Sequence, residues 1–200
     1  MLITRLEETV GTKIRVYIDY EFAFLLTHKD IATYKLKEGA AITSSEYDRI
    51  LEETIYQRAL EKALSILKLS DRSEAELRNK LSLAEYPIAL INRIIEYVKE
   101  YGYLDDKRLA SFYTNARRNK KSKLMIRTEL QQKGVSRDII EEVFLEAYGL
   151  EEEDGELIAI RRAIAKKTAD PKALPYEDKQ KLIASLYRKG FDLGKINQCL

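Results

Sequence analysis

The chain has no tryptophan, one cysteine, one histidine and three prolines in 200 residues. Cys199 alone forms no internal disulfide. His28, far away and in a different kind of segment, completes neither a Cys/His zinc set nor a thiol–imidazole pair. The eight glycines never cluster into a phosphate-cradling loop. No stretch reaches the roughly eighteen apolar residues of a membrane span. The opening MLITRLEETV lacks the apolar core of a signal peptide, so a cytoplasmic protein is expected. The carboxylate groupings read as structural. Asp105 and Asp106 are neighbours, which point about 100° apart on a helix, and one is needed as a cap. Glu151-Glu152-Glu153-Asp154 is a solvated run that suits the dipole of the helix after it. These exclusions predict no enzyme, no cofactor and no metal site.

Charge and helical periodicity are what the chain has in quantity: 34% of residues are charged and 45% apolar, yet the formal net charge is only +2. Distribution says more than the total. Arg117, Arg118, Lys120, Lys121, Lys123, Arg127 and Lys133 form a basic stretch interrupted only by Glu129. The sign then reverses from Glu141 to Glu156.

One pattern is written three times. Ile126 and Leu130 share a helical face, Lys133-Gly134 supplies a C-terminal stop, Val135 can fold back, and Ser136 can cap the next helix. Leu182, Leu186, Lys189-Gly190, Phe191 and Asp192 repeat it, and Leu77, Leu81, Tyr86-Pro87 and Ile91 give a weaker copy. In that copy Glu85 occupies the glycine position. A left-handed non-glycine residue costs roughly 1–2 kcal/mol, so this turn is expected to be built differently, with Pro87 opening the next helix. Leu81 to Leu130 is 49 residues and Leu130 to Leu186 is 56, a spacing that marks a helical repeat array. Cys199 aligns with Val143 and Ile94, which makes it a small buried hydrophobe.

Residues 1–42 differ in kind. Lys13 to Asp19 alternates polar and apolar as a half-buried strand does, Tyr20 to Leu26 continues as a second, Leu2 to Glu7 supplies a third, and the turn falls at Asp19 to Glu21. His28 reads as a loop residue. Thr43 with Glu46, and Ser73 with Glu76, are capping boxes; the first opens a long helix running to Leu67. The expected fold is mostly α, with tandem three-helix repeats over 43–102, 103–150 and 151–200. Stacked, they would form an elongated curved array behind the small N-terminal antiparallel β segment.

The basic stretch is either a phosphate-neutralising patch or a solvated charged face. Arg188 and Lys189 repeat the Lys133 position beside the same kind of turn. Of Tyr101, Tyr103, Phe112, Tyr113 and Tyr187, most are expected in the core, with no stacking platform of the single-strand type.

Several segments together resemble the RecX family of regulatory proteins, bacterial modulators of the recombinase RecA. They are Ile18 to Phe24, Ala63-Leu64 through Arg72-Ser73-Glu74-Ala75-Glu76-Leu77, Tyr101-Gly102-Tyr103-Leu104-Asp105-Asp106, Glu129-Leu130 through Lys133-Gly134-Val135, and Leu186 to Phe191. The chain departs from the family in lacking a glycine near Ser122 or Lys123. A monomer without membrane association is expected, and the resemblance implies a protein that lodges on the RecA filament. There it would hinder filament growth or ATP hydrolysis and so restrain strand exchange. It also implies weak, salt-sensitive contact with single- or double-stranded DNA. The residues expected to make DNA or recombinase contacts are Arg117, Arg118, Lys120, Lys121, Lys123, Arg127, Lys133, Arg188 and Lys189. Two other readings stand beside it: a sequence-specific DNA-binding protein built on the helix–turn–helix around Lys133-Gly134, and a protein-binding helical array without DNA contact.

Overall fold

Period-two alternation places Ile14, Val16 and Ile18 on one face of a strand. The computed structural model, which describes residues 1–9, 11–149 and 154–200, buries all three. Strands β1 (Ile3–Glu8), β2 (Lys13–Ile18) and β3 (Glu21–Thr27) form an antiparallel sheet in that order. The β2–β3 turn is Asp19-Tyr20, both left-handed with φ of 49° and 70°, the backbone pattern whose twist matches a two-residue hairpin. Asp19 also accepts the Leu2 amide at 2.7 Å.

His28 is not in a loop: it opens a short helix, α1 (His28–Thr33). The reason is local, because Thr27 and Asp30 form a capping box. Asp30 is buried and accepts from Nη1 and Nη2 of Arg58, at 2.6 and 2.8 Å. Burial alone would raise its pKa; the hydrogen bonds from Arg58 and Thr27 outweigh that and bring it down to about 2.

The long helix begins at the Thr43–Glu46 capping box as α2 (Ser44–Ile50), passes through a π-helical segment over Leu51–Tyr56, and continues as α3 (Gln57–Leu69). The wider π turn rotates the apolar face. Ile50 and Ile55 consequently both pack under the sheet with Val16, Phe24 and Leu26, while Ala59 and Ala63 face α4 (Glu74–Leu83) and α5 (Ile88–Glu100). In α5 the residues Leu90, Ile91, Ile94, Ile95 and Val98 are buried, a stripe at three- and four-residue spacing.

Glu85 corrects the expectation for the first turn: it is left-handed at φ 62°, and its amide donates to the Ser82 carbonyl at 2.8 Å while Tyr86 donates back to Leu81 at 3.3 Å. That is the geometry of the other two turns, where Gly134 (φ 80°) and Gly190 (φ 79°) make the equivalent bonds. The Glu85 side chain is held by a two-pronged ion pair. Arg15 of β2 donates from Nε at 2.8 Å and from Nη2 at 2.7 Å to the Glu85 carboxylate, whose pKa it lowers.

Residues 1–104 form one compact unit and 105–200 another. In the second, Asp105 caps α6 (Asp106–Arg117), followed by α7 (Lys123–Gln132) and α8 (Arg137–Tyr148). Then come α9 (Gly155–Ala165), α10 (Tyr176–Arg188) and α11 (Leu193–Gln198). Leu77 and Leu81, Ile126 and Leu130, and Leu186 are all essentially inaccessible, each inside the core of its own three-helix set. Leu182 packs partly buried against the third of these cores. Cys199 is half-buried against the last core, less covered than Val143 or Ile94, because α11 stops at Gln198. The run Glu151 to Glu153 lies outside the described residues.

Candidate nucleic-acid interface

Three cations of the 117–133 stretch, Arg117, Lys121 and Lys133, gather around one acid and one ring. Tyr113, half-buried on α6, donates its hydroxyl to Glu129 of α7 at 2.9 Å. The Arg117 guanidinium lies 3.7 Å from the centre of the same ring, and the Lys133 ammonium 5.9 Å. Lys121 closes on Glu129 from the other side in a short ion pair. Burial of Glu129 works toward a higher pKa, but the bonds from Lys121 and Tyr113 hold it below the usual carboxylate range.

Several candidate contact residues have intramolecular work. Arg118 donates to the Ala147 carbonyl at 2.6 Å, and Arg127 pairs with Glu141 at 2.9 Å while lying over Phe144. Lys123 sits 4.1 Å from the centre of the Tyr148 ring. Lys120, Arg188 and Lys189 are exposed, and their side chains have no acidic partner among the described residues.

The two basic segments are brought together by the junction between the α6–α8 and α9–α11 sets. Ser122 caps α7 by accepting the Met125 amide at 3.1 Å, and its hydroxyl donates to the Lys189 carbonyl at 2.7 Å. This fixes the Arg188-Lys189 turn against the α6–α7 loop. Beneath it Glu156, only 4% exposed, accepts from the Lys123 amide at 3.3 Å and from Lys195 Nζ at 2.8 Å. Lys195 also pairs at 2.6 Å with Asp154, the α9 cap. Arg162 reaches the Asn119 carbonyl at 3.3 Å. Burial opposes the charged forms of Lys195 and Asp154, yet their mutual hydrogen bonds prevail, raising the first pKa and lowering the second.

In the sequence Ser122 stands out only as a neighbour of the basic run, and Glu156 only as part of an acidic one. Their pairing partners lie 67 and 39 residues away, so no local pattern signals them. The aromatic expectation is also corrected. Tyr101, Tyr103, Phe112 and Tyr187 are exposed, and only Tyr113 packs partly against a core, because helical spacing defines a face without saying which face meets a neighbour.

Gly190 lies in the closest approach at this junction: an added Cβ would come within 3.0 Å of Ser122 Oγ and 3.2 Å of two Leu124 atoms. At Gly102 the φ is similar, 71° against 79°, but an added Cβ meets nothing within 4 Å. Gly102→Ala is therefore expected to cost about 1 kcal/mol, the backbone penalty alone. Gly190→Ala is expected to cost about 2–3 kcal/mol because overpacking adds to it. Urea unfolding of both variants checks this; equal losses would mean that the Gly190 contact is slack.

Comparisons with known proteins agree with this architecture. Profiles of the RecX first, second and third three-helix domains match residues 59–97, 105–143 and 154–200 in that order. The regulatory protein RecX of Clostridioides difficile (strain 630) is 32% identical over 204 residues, spanning 100% of this chain and 94% of that one. The RecX of Clostridium acetobutylicum is also 32% identical, over 99% of this chain and 94% of its own. That of Caldanaerobacter subterraneus subsp. tengcongensis is 30% identical, over 100% and 98%. A crystal structure of regulatory protein RecX superposes with a TM-score of 0.65 at 19% identity, covering 99% of this chain and 98% of the other. RecX from Lactobacillus salivarius gives 0.61 at 22%, over 74% and 95%. Three family domains in sequence order, relatives of this identity along the full length and the shared fold lead to one conclusion: the chain belongs to the RecX family of regulatory proteins.

Proposed function

We propose that this protein binds the RecA nucleoprotein filament and restrains its ATP hydrolysis, extension and strand exchange, as a cytoplasmic monomer without catalytic activity of its own. Family membership supports the regulatory role. The observation that carries the contact mode is the hydrogen bond from Ser122 to the Lys189 carbonyl, which holds exposed Arg188 and Lys189 beside the cationic 117–123 loop. Cations gathered on one rigid face suit a polyanion, and each phosphate neutralised adds a counterion-release contribution that weakens with salt. Among the described residues no group of three or more metal-ligating side chains is present, and no helix is long and apolar enough to cross a membrane. The contact so proposed is electrostatic and reversible, with DNA and the recombinase surface sharing the same face.

The test is the ATPase rate of pre-formed RecA filaments on single-stranded DNA. Saturating protein is expected to slow it several-fold, with the effect fading as salt rises. A rate unchanged at saturation would overturn the proposal.

A further inference from the structure

Three aromatic side chains among the described residues of the 105–200 unit already carry cations. Arg117 and Lys133 lie over Tyr113, Lys123 over Tyr148, and Arg127 over Phe144. Tyr187 is different. It is 63% exposed, its side chain has no ring, cation or hydrogen-bond partner among the described residues, and Arg188 and Lys189, both exposed, come directly after it.

Its orientation is set by the helix. Leu186 is buried in the α9–α11 core, and the next residue on an α-helix points about 100° away, here into solvent. Its backbone is held by the turn that ends α10, since the Tyr187 carbonyl accepts the Gly190 amide at 2.8 Å and the Lys189 carbonyl is tied to Ser122. An exposed ring on a backbone fixed by this turn, followed in the chain by two exposed cations, has the parts of a single-strand contact: a flat apolar face for a base and charges for neighbouring phosphates. A duplex offers the charges their phosphates but keeps its base faces stacked inside.

We infer that Tyr187 stacks against a base of single-stranded nucleic acid while Arg188 and Lys189 neutralise the adjoining phosphates, so that this turn distinguishes single strands from duplex. The inference rests on the reading of this face as a nucleic-acid contact. Tyr176, also on α10 and 77% exposed, supplies the contrast: Glu177 and Asp178 come after it and would repel phosphate.

The experiment measures anisotropy of a labelled deoxythymidine oligomer and of a duplex of equal length with the full-length protein. Tyr187→Ala is expected to weaken oligomer binding about tenfold and leave duplex binding within about twofold. Tyr187→Phe, which keeps the ring, is expected to retain oligomer affinity, and Tyr176→Ala to change neither. Arg188→Glu with Lys189→Glu is expected to weaken both substrates. Equal loss for oligomer and duplex, loss in Tyr187→Phe as large as in Tyr187→Ala, or no loss at all would overturn the stacking role. If charge reversal weakens both ligands while Tyr187→Ala changes nothing, only the stacking role falls. If charge reversal changes neither, or the protein binds neither, the nucleic-acid reading falls and takes the stacking role with it.

Discussion

Lys195→Met is expected to lower the unfolding free energy of the 105–200 unit by about 3 kcal/mol. Lys195 is half-buried, with its side chain 25% exposed, and it is the only cationic side chain among the described residues bonded to the Glu156 carboxylate, whose side chain is 5% exposed. Removing it would leave that carboxylate with the Lys123 amide at 3.3 Å as its remaining described partner, and an uncompensated buried charge is far more costly than the pair is stabilising. Asp154 would lose its ion pair too, although it keeps its cap on the Glu156 amide at 2.9 Å. The double variant Lys195→Met with Glu156→Leu removes the stranded charge along with its partner and is expected to recover most of the loss. Urea unfolding of the two variants and of Glu156→Leu completes a double-mutant cycle. Equal stability of Lys195→Met and the double variant would show that the carboxylate does not depend on Lys195.

Most of what is legible in this fold rests on short-range interactions, although the equally local Thr27–Asp30 capping box escapes notice because aspartate stands where Glu or Gln is usual. The capping boxes at Thr43 and Ser73, the Asp105 cap and the hairpin turn at Asp19-Tyr20 all rest on residues three or fewer positions apart, and both partners are visible along the chain. The repeated Leu and Lys-Gly positions are legible for the same reason, and they do fall in equivalent core and turn positions. Glu85 is misjudged from sequence because a non-glycine residue does take the left-handed turn there, and its carboxylate partner Arg15 lies 70 residues earlier. Likewise a run of like charges shows its sign but not its partners across helices: Lys121 and Arg127 meet Glu129 and Glu141 only once α7 has packed on α6 and α8. The basic stretch is thereby divided into members engaged with the protein itself and members facing solvent, a division that no composition count contains.

That division governs the second large effect. Replacing Lys120, Arg188 and Lys189 together by glutamate is expected to weaken nucleic-acid binding at moderate salt on the order of a hundredfold. It should also flatten the plot of log affinity against log salt by about two to three units, since each lost phosphate contact removes roughly 0.7 for a single strand or 0.9 for a duplex. Slowing of the RecA ATPase should weaken in parallel, because the proposed filament contact uses the same face. The three side chains are exposed and make no acidic contact among the described residues, so the fold should survive, as an unchanged urea midpoint would verify. Net charge alone could depress affinity, and a control removes that ambiguity: Lys166, Lys167 and Lys172, exposed between α9 and α10, give the same change in net charge when reversed. The control is expected to lose only a few-fold. Equal losses in the two triple variants would mean that the molecule attracts polyanions through its total charge, and the face anchored by Ser122 would have no special part in it. Reversing Lys121 or Arg127 tests something else, because each forms an ion pair with Glu129 or Glu141. Glutamate there sets like charges together inside the unit, so a loss of binding would be preceded by a loss of stability.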